Sequence, residues 1–282
     1  MLKNLIISSE SSNLYTTKRF LAEAKLLKIK SSWHNPYEKS LYFTNNKEAT
    51  ESGLYLHRTS GIRYDDFDLL VAEFYQQNGY SISNPLRSLK PFREKDSQLI
   101  FFKENKINHI PTIVFRGSIS LDLKSNLSKL FKDGKYILKM NRGNGGVGVQ
   151  LINGLDSLYS VLETYQAIKD QKMLIQPYIY HQTEWRLFVT KKGQVEIIKR
   201  QLSRQDFRAN NNRAAARYIK KPINELVQLA LEIINKSQLD YAGIDVIETS
   251  DHFLVVEVNS VPGFEQLETL ADKNIAREII LL

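Results

Sequence analysis

Between residues 241 and 259 the chain carries two apolar runs separated by a short polar turn, and each run contains acidic or amide side chains. Apolar and polar residues alternate in both runs, which predicts a hairpin of two β-strands. Asp245 lies in the first run, and Glu257 and Asn259 lie in the second. Residues two apart on a strand point to the same face, and a hairpin would bring Asp245 beside the other two. Two carboxylates and an amide oxygen suit Mg²⁺ that also binds phosphate, so the sequence predicts a metal site.

A surface hairpin whose acids face water is the competing interpretation, because most Asp and Glu side chains in proteins are exposed. Here, however, the acids lie within otherwise apolar runs, at residues 242–244 and 253–256. A buried acid needs a partner, and a metal ion is the simplest one. The hairpin alone leaves both interpretations open.

A glycine-rich segment, residues 141–148, lies between two predicted strands, Lys135–Met140 and residues 149–152. Its glycines let the backbone approach an anion and turn N–H groups toward it. The segment is not a P-loop, because no Lys-Ser or Lys-Thr pair follows the glycines and no helix begins there. We predict a strand-loop-strand flap, with Lys139 preceding it and Arg142 within it. A plain glycine-rich turn is the competing interpretation, and the metal site predicted downstream favours phosphate binding.

Three segments of the chain resemble motifs of the ATP-grasp fold. They are the glycine loop with Lys139, the segment Gln176-Pro177-Tyr178-Ile179, and the set of Asp245, Glu257 and Asn259 followed by Pro262-Gly263. Within that fold the chain is similar to the RimK-type glutamate ligases and their relatives, which add an amino acid to a peptide or cofactor carboxylate. Further similar segments extend the resemblance over nearly the whole chain; they are residues 13–19, Arg58-Thr59-Ser60-Gly61 and Asp206-Phe207-Arg208-Ala209-Asn210.

The resemblance implies an α/β chain with α+β lobes in the ATP-grasp fold, in which two lobes clamp ATP. Strands and helices alternate over the first part of the chain, and Asn84-Pro85 then interrupts the pattern. We therefore expect an N-terminal pre-ATP-grasp domain at 1–85, a central lobe with the mobile flap at 86–177, and a C-terminal lobe with the metal-binding hairpin at 178–282. The main predicted elements are strands at residues 3–8, 54–57, 112–115, 184–189 and 195–201, and helices at residues 16–28, 68–77, 94–105 and 222–236.

Composition excludes several classes of protein. The absence of cysteine excludes disulfides, thiolate catalysis and Cys-ligated zinc. No apolar run approaches the roughly 20 residues of a membrane span, and the N-terminal run is too short for a signal peptide, so we expect a cytoplasmic protein without a membrane partner. The histidines are interpreted as structural or surface residues because their spacing is not typical of metal ligands; they are His34, His57, His109, His181 and His252.

The net charge of +8 is compatible with two kinds of partner. A positive field would attract nucleotide phosphates and an acidic substrate, whereas a strongly basic chain is also typical of nucleic-acid binding. The basic cluster within residues 199–221 lacks the interleaved aromatic side chains of a single-strand binding platform. We therefore favour a nucleotide and an acidic substrate over nucleic acid.

The resemblance also implies a set of ATP-binding residues. Lys95 and Lys139 would contact the phosphates, and the backbone of residues 177 and 179 would follow the adenine edge. Pro177 replaces a commoner Glu, but a proline keeps its carbonyl. Glu184 would contact the ribose or adenine, or would form a structural ion pair with Arg186. The full implied set is Lys95, Lys139, Gly143, Gly145, Gly146, Val147, Gln176, Pro177, Tyr178, Ile179, Glu184 and Arg186.

For the chemistry itself, the resemblance implies that Arg200 stabilises the transferred phosphate. Arg208 and Asn210 match the segment that faces the acceptor, and Arg58 is a candidate for binding a substrate carboxylate. Ala214-Ala215 replaces the family's Gly-Gly, which bears on the identity of the acceptor. One or two Mg²⁺ ions, with Mn²⁺ as the alternative, would lie at the predicted metal site.

We therefore expect an ATP-dependent carboxylate–amine ligase that forms an amide through an acylphosphate. It would add glutamate or another amino acid to the carboxylate of a peptide, a protein or a small molecule. The alternative is a nucleotide-binding regulatory or nucleic-acid-binding module without ligase turnover. The sequence does not fix the acceptor, the number of additions, or whether the protein forms a homo-oligomer.

Overall fold

The computed structural model describes residues 2–44, 52–60, 63, 65–116, 119–130, 134–143, 145–168, 172–181, 183–202, 215–250 and 252–282. Within these residues the chain forms three β-sheets with helices packed against them, in agreement with the expected α/β class. No helix in the described part of the chain combines the length and apolarity required to cross a membrane.

The first sheet is parallel and is formed by the N-terminal part of the chain. Its strand order is β2-β1-β3-β4. The strands are β1 (Asn4–Ser8), β2 (Lys30–His34), β3 (Gly53–His57) and β4 (Tyr80–Ser83), and the helices are α1 (Tyr15–Leu26) and α2 (Phe67–Gln77). The predicted strands and helices of this region are confirmed, but β2 and β4 were not predicted. β2 reads Lys-Ser-Ser-Trp-His at the edge of the sheet, so it lacks the apolar alternation by which a strand is recognised.

Two helices lead from the first sheet to the second, α3 (Leu86–Leu89) and α4 (Lys95–Glu104). The second sheet is antiparallel, with the strand order β5-β8-β6-β7. Its elements are β5 (Ile113–Phe115), α5 (Leu121–Leu130), β6 (Lys135–Met140), β7 (Val149–Asn153), α6 (Leu155–Ile168) and β8 (Met173–Pro177). The glycine-rich loop joins the neighbouring strands β6 and β7, which confirms the predicted strand-loop-strand arrangement.

The third sheet is antiparallel and has the strand order β11-β10-β9-β12-β13. Its elements are β9 (Thr183–Thr190), β10 (Val195–Gln201), β11 (Ala215–Tyr218), α7 (Asn224–Ser237), β12 (Tyr241–Glu248) and β13 (Phe253–Asn259). The two short helices α8 (Glu265–Ala271) and α9 (Ile275–Ile280) follow. The predicted hairpin is confirmed as β12 and β13. The edge strand β11 was not predicted, because Ala-Ala-Arg-Tyr carries little apolar pattern.

One face of the third sheet is covered by α4 and α7. Leu187, Ile244 and Val246 of the sheet share a core with Phe102 of α4 and Ile233 of α7. α4 therefore packs on the third sheet although it precedes the second sheet in sequence. The division of the chain into domains at 1–85, 86–177 and 178–282 stays a prediction.

A second core joins the first sheet to the C-terminal helices. Leu5 and Phe20 from the N-terminal part of the chain are buried in one cluster with Phe264 and Ile279. Arg19 Nε lies 2.7 Å from Glu268 Oε2, which ties α1 to α8 at the rim of this core. The first and third sheets are thus held together by packing rather than by the connecting chain alone.

Asn84, which the sequence marks as a break in the chain, is a fully buried link between the first and third sheets. Its Oδ1 accepts from the backbone N–H groups of Asp240 at 2.6 Å and Tyr241 at 3.0 Å. Its Nδ2 donates to the carbonyls of Tyr241 at 2.9 Å and Ser260 at 2.7 Å. One side chain thereby satisfies four buried backbone groups at the two ends of the β12–β13 hairpin.

Replacing Asn84 by Ala should lower the free energy of unfolding by about 3–5 kcal/mol, because several backbone groups would be left buried and unpaired. Urea denaturation measures this change. The matched control is Asn126→Ala, because the Asn126 amide makes only an exposed 3.4 Å bond to Asp122. Equal stability of the two variants would show that the hydrogen bonds of Asn84 contribute nothing to the free energy of unfolding.

Candidate active site

A cleft of about 870 Å³ lies between the second and third sheets. Ile137 and Val149 line it from the second sheet, and Ile247 and Val256 line it from the third. Two apolar walls that face each other suit a flat aromatic ring such as a nucleotide base. The cleft also has polar lining residues, among them Lys95, Lys139, Gln176 and His181.

Lys95, Lys139 and the glycine loop form one end of this cleft. Lys95 Nζ donates to the carbonyl of Gly143 at 3.0 Å and lies 4.0 Å from Glu257 Oε2. Burial is the largest influence on Lys139 and lowers the pKa of its ammonium group. An anion placed between the two lysines would favour their charged forms and offset the effect of burial on the pKa of Lys139, so this end suits phosphate.

Glycine is required where the loop returns to β7. Gly148 has φ +74°, and a Cβ there would lie 2.8 Å from Met140 Cγ. Gly145 and Gly146 also have positive φ, at 60° and 77°, and both line the cleft together with Val147. Such a backbone can present successive N–H groups to an anion.

Arg142 lies at the start of the loop but is turned away from the cleft. Its guanidinium donates to Asp66 at 2.7 Å and 3.1 Å and to Glu94 Oε1 at 3.0 Å and 2.8 Å. It also donates to the carbonyl of Arg63 at 2.7 Å. Arg142 therefore anchors the first residues of the loop to α2 and to the N-terminus of α4, and it does not line the cleft.

The segment from Gln176 to Ile179 also lines the cleft. Gln176 is buried, and its Nε2 donates to Thr112 Oγ1 at 2.8 Å. The N–H of Tyr178 donates to the carbonyl of Lys135 at 3.0 Å, which fixes this segment to β6. The structure thus places all four residues of the implied adenine edge in the lining of the cleft.

His181 lines the cleft as well, although the sequence pattern was interpreted as that of a structural or surface residue. Its Nδ1 donates to the carbonyl of Ile179 at 2.8 Å. Burial lowers the pKa of His181, so the ring is neutral at physiological pH. Its position just after the segment ending at Ile179 was the signal available in the sequence.

The predicted metal ligands meet across the hairpin. Asp245 pairs directly with Glu257 in the register of β12 and β13, and Asn259 pairs with Gly243. Asn259 Nδ2 donates to Asp245 Oδ2 at 3.3 Å and to Glu257 Oε1 at 3.2 Å. The three side chains are therefore in mutual contact on one face of the hairpin, where the sequence analysis expected them.

Asp245 is almost completely buried and is paired with Arg186. Nη1 of Arg186 donates to both carboxylate oxygens, at 2.8 Å and 2.7 Å. Burial alone would raise the pKa of Asp245, but the charges of Arg186 and Arg200 outweigh burial and lower it. Asp245 is therefore ionised at neutral pH.

Glu184 is the second buried carboxyl group of the site. Burial, reinforced by the negative charge of Asp245, raises the pKa of Glu184 to about 8. Arg200 Nη1 lies 3.5 Å from its Oε1 and 3.7 Å from Asp245 Oδ1, and Arg200 Nε donates to Gln266 at 3.0 Å. The competing ion pair of Glu184 with Arg186 is not formed; Arg200 is the cation beside Glu184.

The donor set of the hairpin fits Mg²⁺ only when a second source of oxygen completes it. Two carboxylates and an amide supply hard oxygen ligands, and rotation of the Asn259 amide would present its oxygen. No cluster of three or more His, Cys, Asp or Glu side chains suited to a metal occurs in the described part of the chain. The phosphates of a bound nucleotide and water would have to supply the remaining ligands, which is how Mg²⁺ is commonly held in nucleotide-binding sites.

A second cavity of about 950 Å³ adjoins the cleft at Lys95, Gly143, Gly145 and Glu257. Ser60, from the segment 58–61 noted in the sequence, lines this cavity. Three further polar residues of the lining were not predicted from the sequence; they are Arg93, Gln98 and Ser260. Arg93 is held by Asp68 through two hydrogen bonds, at 2.8 Å and 2.9 Å. A second substrate bound in this cavity would meet the nucleotide at the hairpin carboxylates.

Four predicted residues are not placed at these cavities. Arg200 lines neither of them and instead lies beside Glu184 and Asp245. Arg208 and Asn210 lie outside the described residues. Arg58 is buried and lines neither cavity; it donates to the hydroxyl of Tyr241 at 3.2 Å and to the carbonyl of Pro262 at 2.7 Å. Its direct role in binding a substrate carboxylate therefore has no support in the structure.

Gly243 gives Arg186 the space to reach Asp245. A Cβ at Gly243 would lie 2.7 Å from Pro262 Cβ and 2.8 Å from Arg186 Nη2. Gly243→Ala should therefore lower the free energy of unfolding by about 1–3 kcal/mol, a typical effect of overpacking, which urea denaturation measures. Gly263→Ala is the control, since no atom lies within 4 Å of its added Cβ. If the Gly243→Ala variant were as stable as the control, Gly243 would not be needed to make space for Arg186.

Comparisons with known proteins agree with this geometry. A family model described as a RimK-like ATP-grasp domain matches residues 102–282. A probable alpha-L-glutamate ligase of Marinobacter nauticus is 24% identical over 292 residues, covering 98% of this chain and 93% of that protein. Another, from Pseudomonas fluorescens Pf-5, is 31% identical over 157 residues, and that match spans 55% of this chain and about half (52%) of the relative.

The fold has a similar counterpart among solved structures. A RimK domain ATP-grasp protein from Sphaerobacter thermophilus superimposes with a TM-score of 0.74 and covers 98% of each chain. The two sequences are 17% identical, so the likeness concerns the fold.

Proposed function

Because the chain belongs to the RimK-like ATP-grasp family, we propose that it is an ATP-dependent carboxylate–amine ligase that forms an amide through an acylphosphate. This membership confirms the family resemblance and the fold class expected from the sequence. The observation that carries the proposal is the position of Asp245 and Glu257, which face each other across the hairpin where the cleft meets the second cavity. A nucleotide in the cleft and a second substrate in the adjoining cavity would meet beside Glu257, which lines both.

The proposed reaction has two steps. The acceptor carboxylate, bound in the second cavity, attacks the γ-phosphorus of ATP in line. The bond from that phosphorus to the bridging oxygen breaks, and ADP leaves with the electron pair. The amine of the added amino acid then attacks the acyl carbon, and the bond from that carbon to the phosphate oxygen breaks. Inorganic phosphate leaves, and the amine proton is lost to solvent or to the phosphate.

Cationic side chains of this chain surround the site of phosphoryl transfer. Lys95 and Lys139 approach the phosphate end of the cleft, and Arg186 and Arg200 approach Asp245. Such preorganised charges stabilise negative charge that develops in a transition state. Asp245, Glu257 and Asn259 would hold Mg²⁺, which when bound neutralises charge on the phosphate oxygens.

An acylphosphate needs protection from water. The cleft walls are apolar, and the glycine loop lies over the phosphate end. A closed loop would exclude water while the amine attacks. In this proposal Gly145, Gly146 and Val147 cover the phosphates during the reaction.

The donor is glutamate or another amino acid, and the acceptor is an acidic peptide, a protein or a small molecule. Arg93, Lys95 and Arg186 line the second cavity together with the carboxylates of Asp245 and Glu257. With those carboxylates engaged by Mg²⁺, the three cations would favour an anionic acceptor. A cytoplasmic location and the choice between Mg²⁺ and Mn²⁺ stay predictions. Regulation by nucleotide binding without turnover is the alternative function, and the assay below separates the two.

The first experiment measures ADP and phosphate release from Mg-ATP with each of the twenty amino acids, with and without acidic peptides. Mass spectrometry of the products follows. Release together with a product heavier by one amino-acid residue is the expected result and names the donor. Binding of Mg-ATP with no release and no product across the whole panel would favour the regulatory alternative.

Asp245→Asn and Glu257→Gln should each lower the rate of ADP release by at least about 100-fold. Each substitution removes a negative charge from the proposed Mg²⁺ site, and Mg²⁺ would neutralise the phosphate charge during phosphoryl transfer. Glu248→Gln is the control, because Glu248 is an exposed carboxylate at the end of the same strand. Circular dichroism checks that the variants are folded. Near-wild-type turnover in either test variant would refute the assignment of these carboxylates.

A further inference from the structure

Gln176 lines the cleft whose apolar walls would hold the base of the proposed nucleotide. Its neighbour Ile175 is in the core of the second sheet, whereas Gln176 lines the cleft beside Ile137. Gln176 is only 5% exposed, so its amide orientation is set by the groups around it rather than by bulk water. A glutamine amide can present either its NH₂ donors or its carbonyl acceptor, and the choice decides which base it can read.

Thr112 determines this choice. Its Oγ1 lies 2.8 Å from the carbonyl of Ile110, and because a carbonyl only accepts, the single hydroxyl proton of Thr112 is used there. Toward Gln176 the same oxygen can then only accept. The NH₂ group of Gln176 must face it, as observed at 2.8 Å. The two hydrogen bonds therefore fix an orientation that coordinates alone often leave ambiguous.

The opposite atom of the amide, Oε1 of Gln176, has no hydrogen-bond partner among the described residues. Because Gln176 lines the cleft, this oxygen is the side-chain acceptor that remains for a ligand. The following residue, Pro177, adds a carbonyl and no N–H, and the N–H of Tyr178 is already used by Lys135. Gln176 and Pro177 thus offer acceptors to a ligand edge.

Adenine presents an amino donor at C6, whereas guanine and hypoxanthine present a carbonyl oxygen there. An acceptor fixed at this place would bind the amino group and would repel the oxygen. We propose that Thr112 is a positioning residue that locks the Gln176 amide and thereby selects adenine nucleotides over purines with an oxygen at C6. The inference rests on the proposed use of a nucleotide, and it goes further by naming the residues that choose the base.

Binding of ADP and IDP tests this directly, because these products are not consumed by the proposed reaction. IDP differs from ADP only at C6 and in the N1 proton that accompanies the carbonyl. Isothermal titration with Mg²⁺ present gives the ratio of the two dissociation constants for the full chain. The variants are Thr112→Val, which removes the hydroxyl at nearly constant volume, and Thr112→Ser, which keeps it. Gln176→Met removes the amide itself.

Wild-type protein and Thr112→Ser should prefer ADP over IDP by about tenfold or more, the scale of one hydrogen bond made or lost in a buried site. Thr112→Val should reduce that preference about tenfold, mainly through tighter IDP binding, because the freed amide can turn its NH₂ group toward the base. Gln176→Met should reduce it as well, through weaker ADP binding. A general structural defect would weaken both nucleotides equally and would leave the ratio unchanged.

If Thr112→Val kept the wild-type ratio of the ADP and IDP dissociation constants, the inference would be overturned. If Thr112→Val does not fold, the same result in Gln176→Met would overturn it. Binding of neither nucleotide to the wild-type protein would refute both the inference and the proposed function. Selective ADP binding that follows the expected pattern in the variants, together with a silent ligase assay, would refute only the ligase and would leave the base selection standing.

Discussion

The buried carboxylate of Asp245 is the constraint on which the arrangement of the site depends. A charge that is almost completely removed from water is stable only beside opposite charge, and both Arg186 and Arg200 supply it. They can do so because β9 lies next to β12 and β10 lies next to β9 in the third sheet. The missing side chain of Gly243 leaves room for the guanidinium. Sheet order, arginine positions and one glycine are thus linked through a single buried charge.

The position of the glycine loop is also set by its surroundings, because its two ends are fixed and its middle faces the cleft. At its start, Arg142 is bound by Asp66 and Glu94. Just before it, Asn141 Oδ1 accepts from the N–H of Asp96 at 3.0 Å, which couples the loop to the helix that carries Lys95. These contacts place Lys95 and the loop on the same side of the phosphate end. A change in the loop would therefore alter the position of that lysine as well.

The parts predicted from the sequence are those that local patterns specify. Alternation in the hairpin predicted that Asp245 and Glu257 would face each other, and the register confirms it. Residues such as Thr112 and Arg93 could not be identified, since their meaning depends on partners far along the chain, Gln176 for the one and Asp68 for the other. The edge strands β2 and β11 were missed for another reason: their sequences, Lys-Ser-Ser-Trp-His and Ala-Ala-Arg-Tyr, carry little of the apolar alternation by which a strand is recognised. Local sequence patterns thus predicted the carboxylates at the centre of the site, whereas the residues that orient their surroundings could not be predicted.

The N-terminal sheet shapes the second cavity without contributing most of its lining. Residues 260–263 form one wall of that cavity, and two of their carbonyls are held from the N-terminal part of the chain. Asn84 donates to Ser260 and Arg58 donates to Pro262, each at 2.7 Å. Because Arg58 is buried among Phe20, Tyr241 and Phe264, it supports this wall and does not line the cavity. If the proposed function is correct, a substitution in the N-terminal sheet that moves the wall would change acceptor specificity even where the residues that meet the acceptor stay the same.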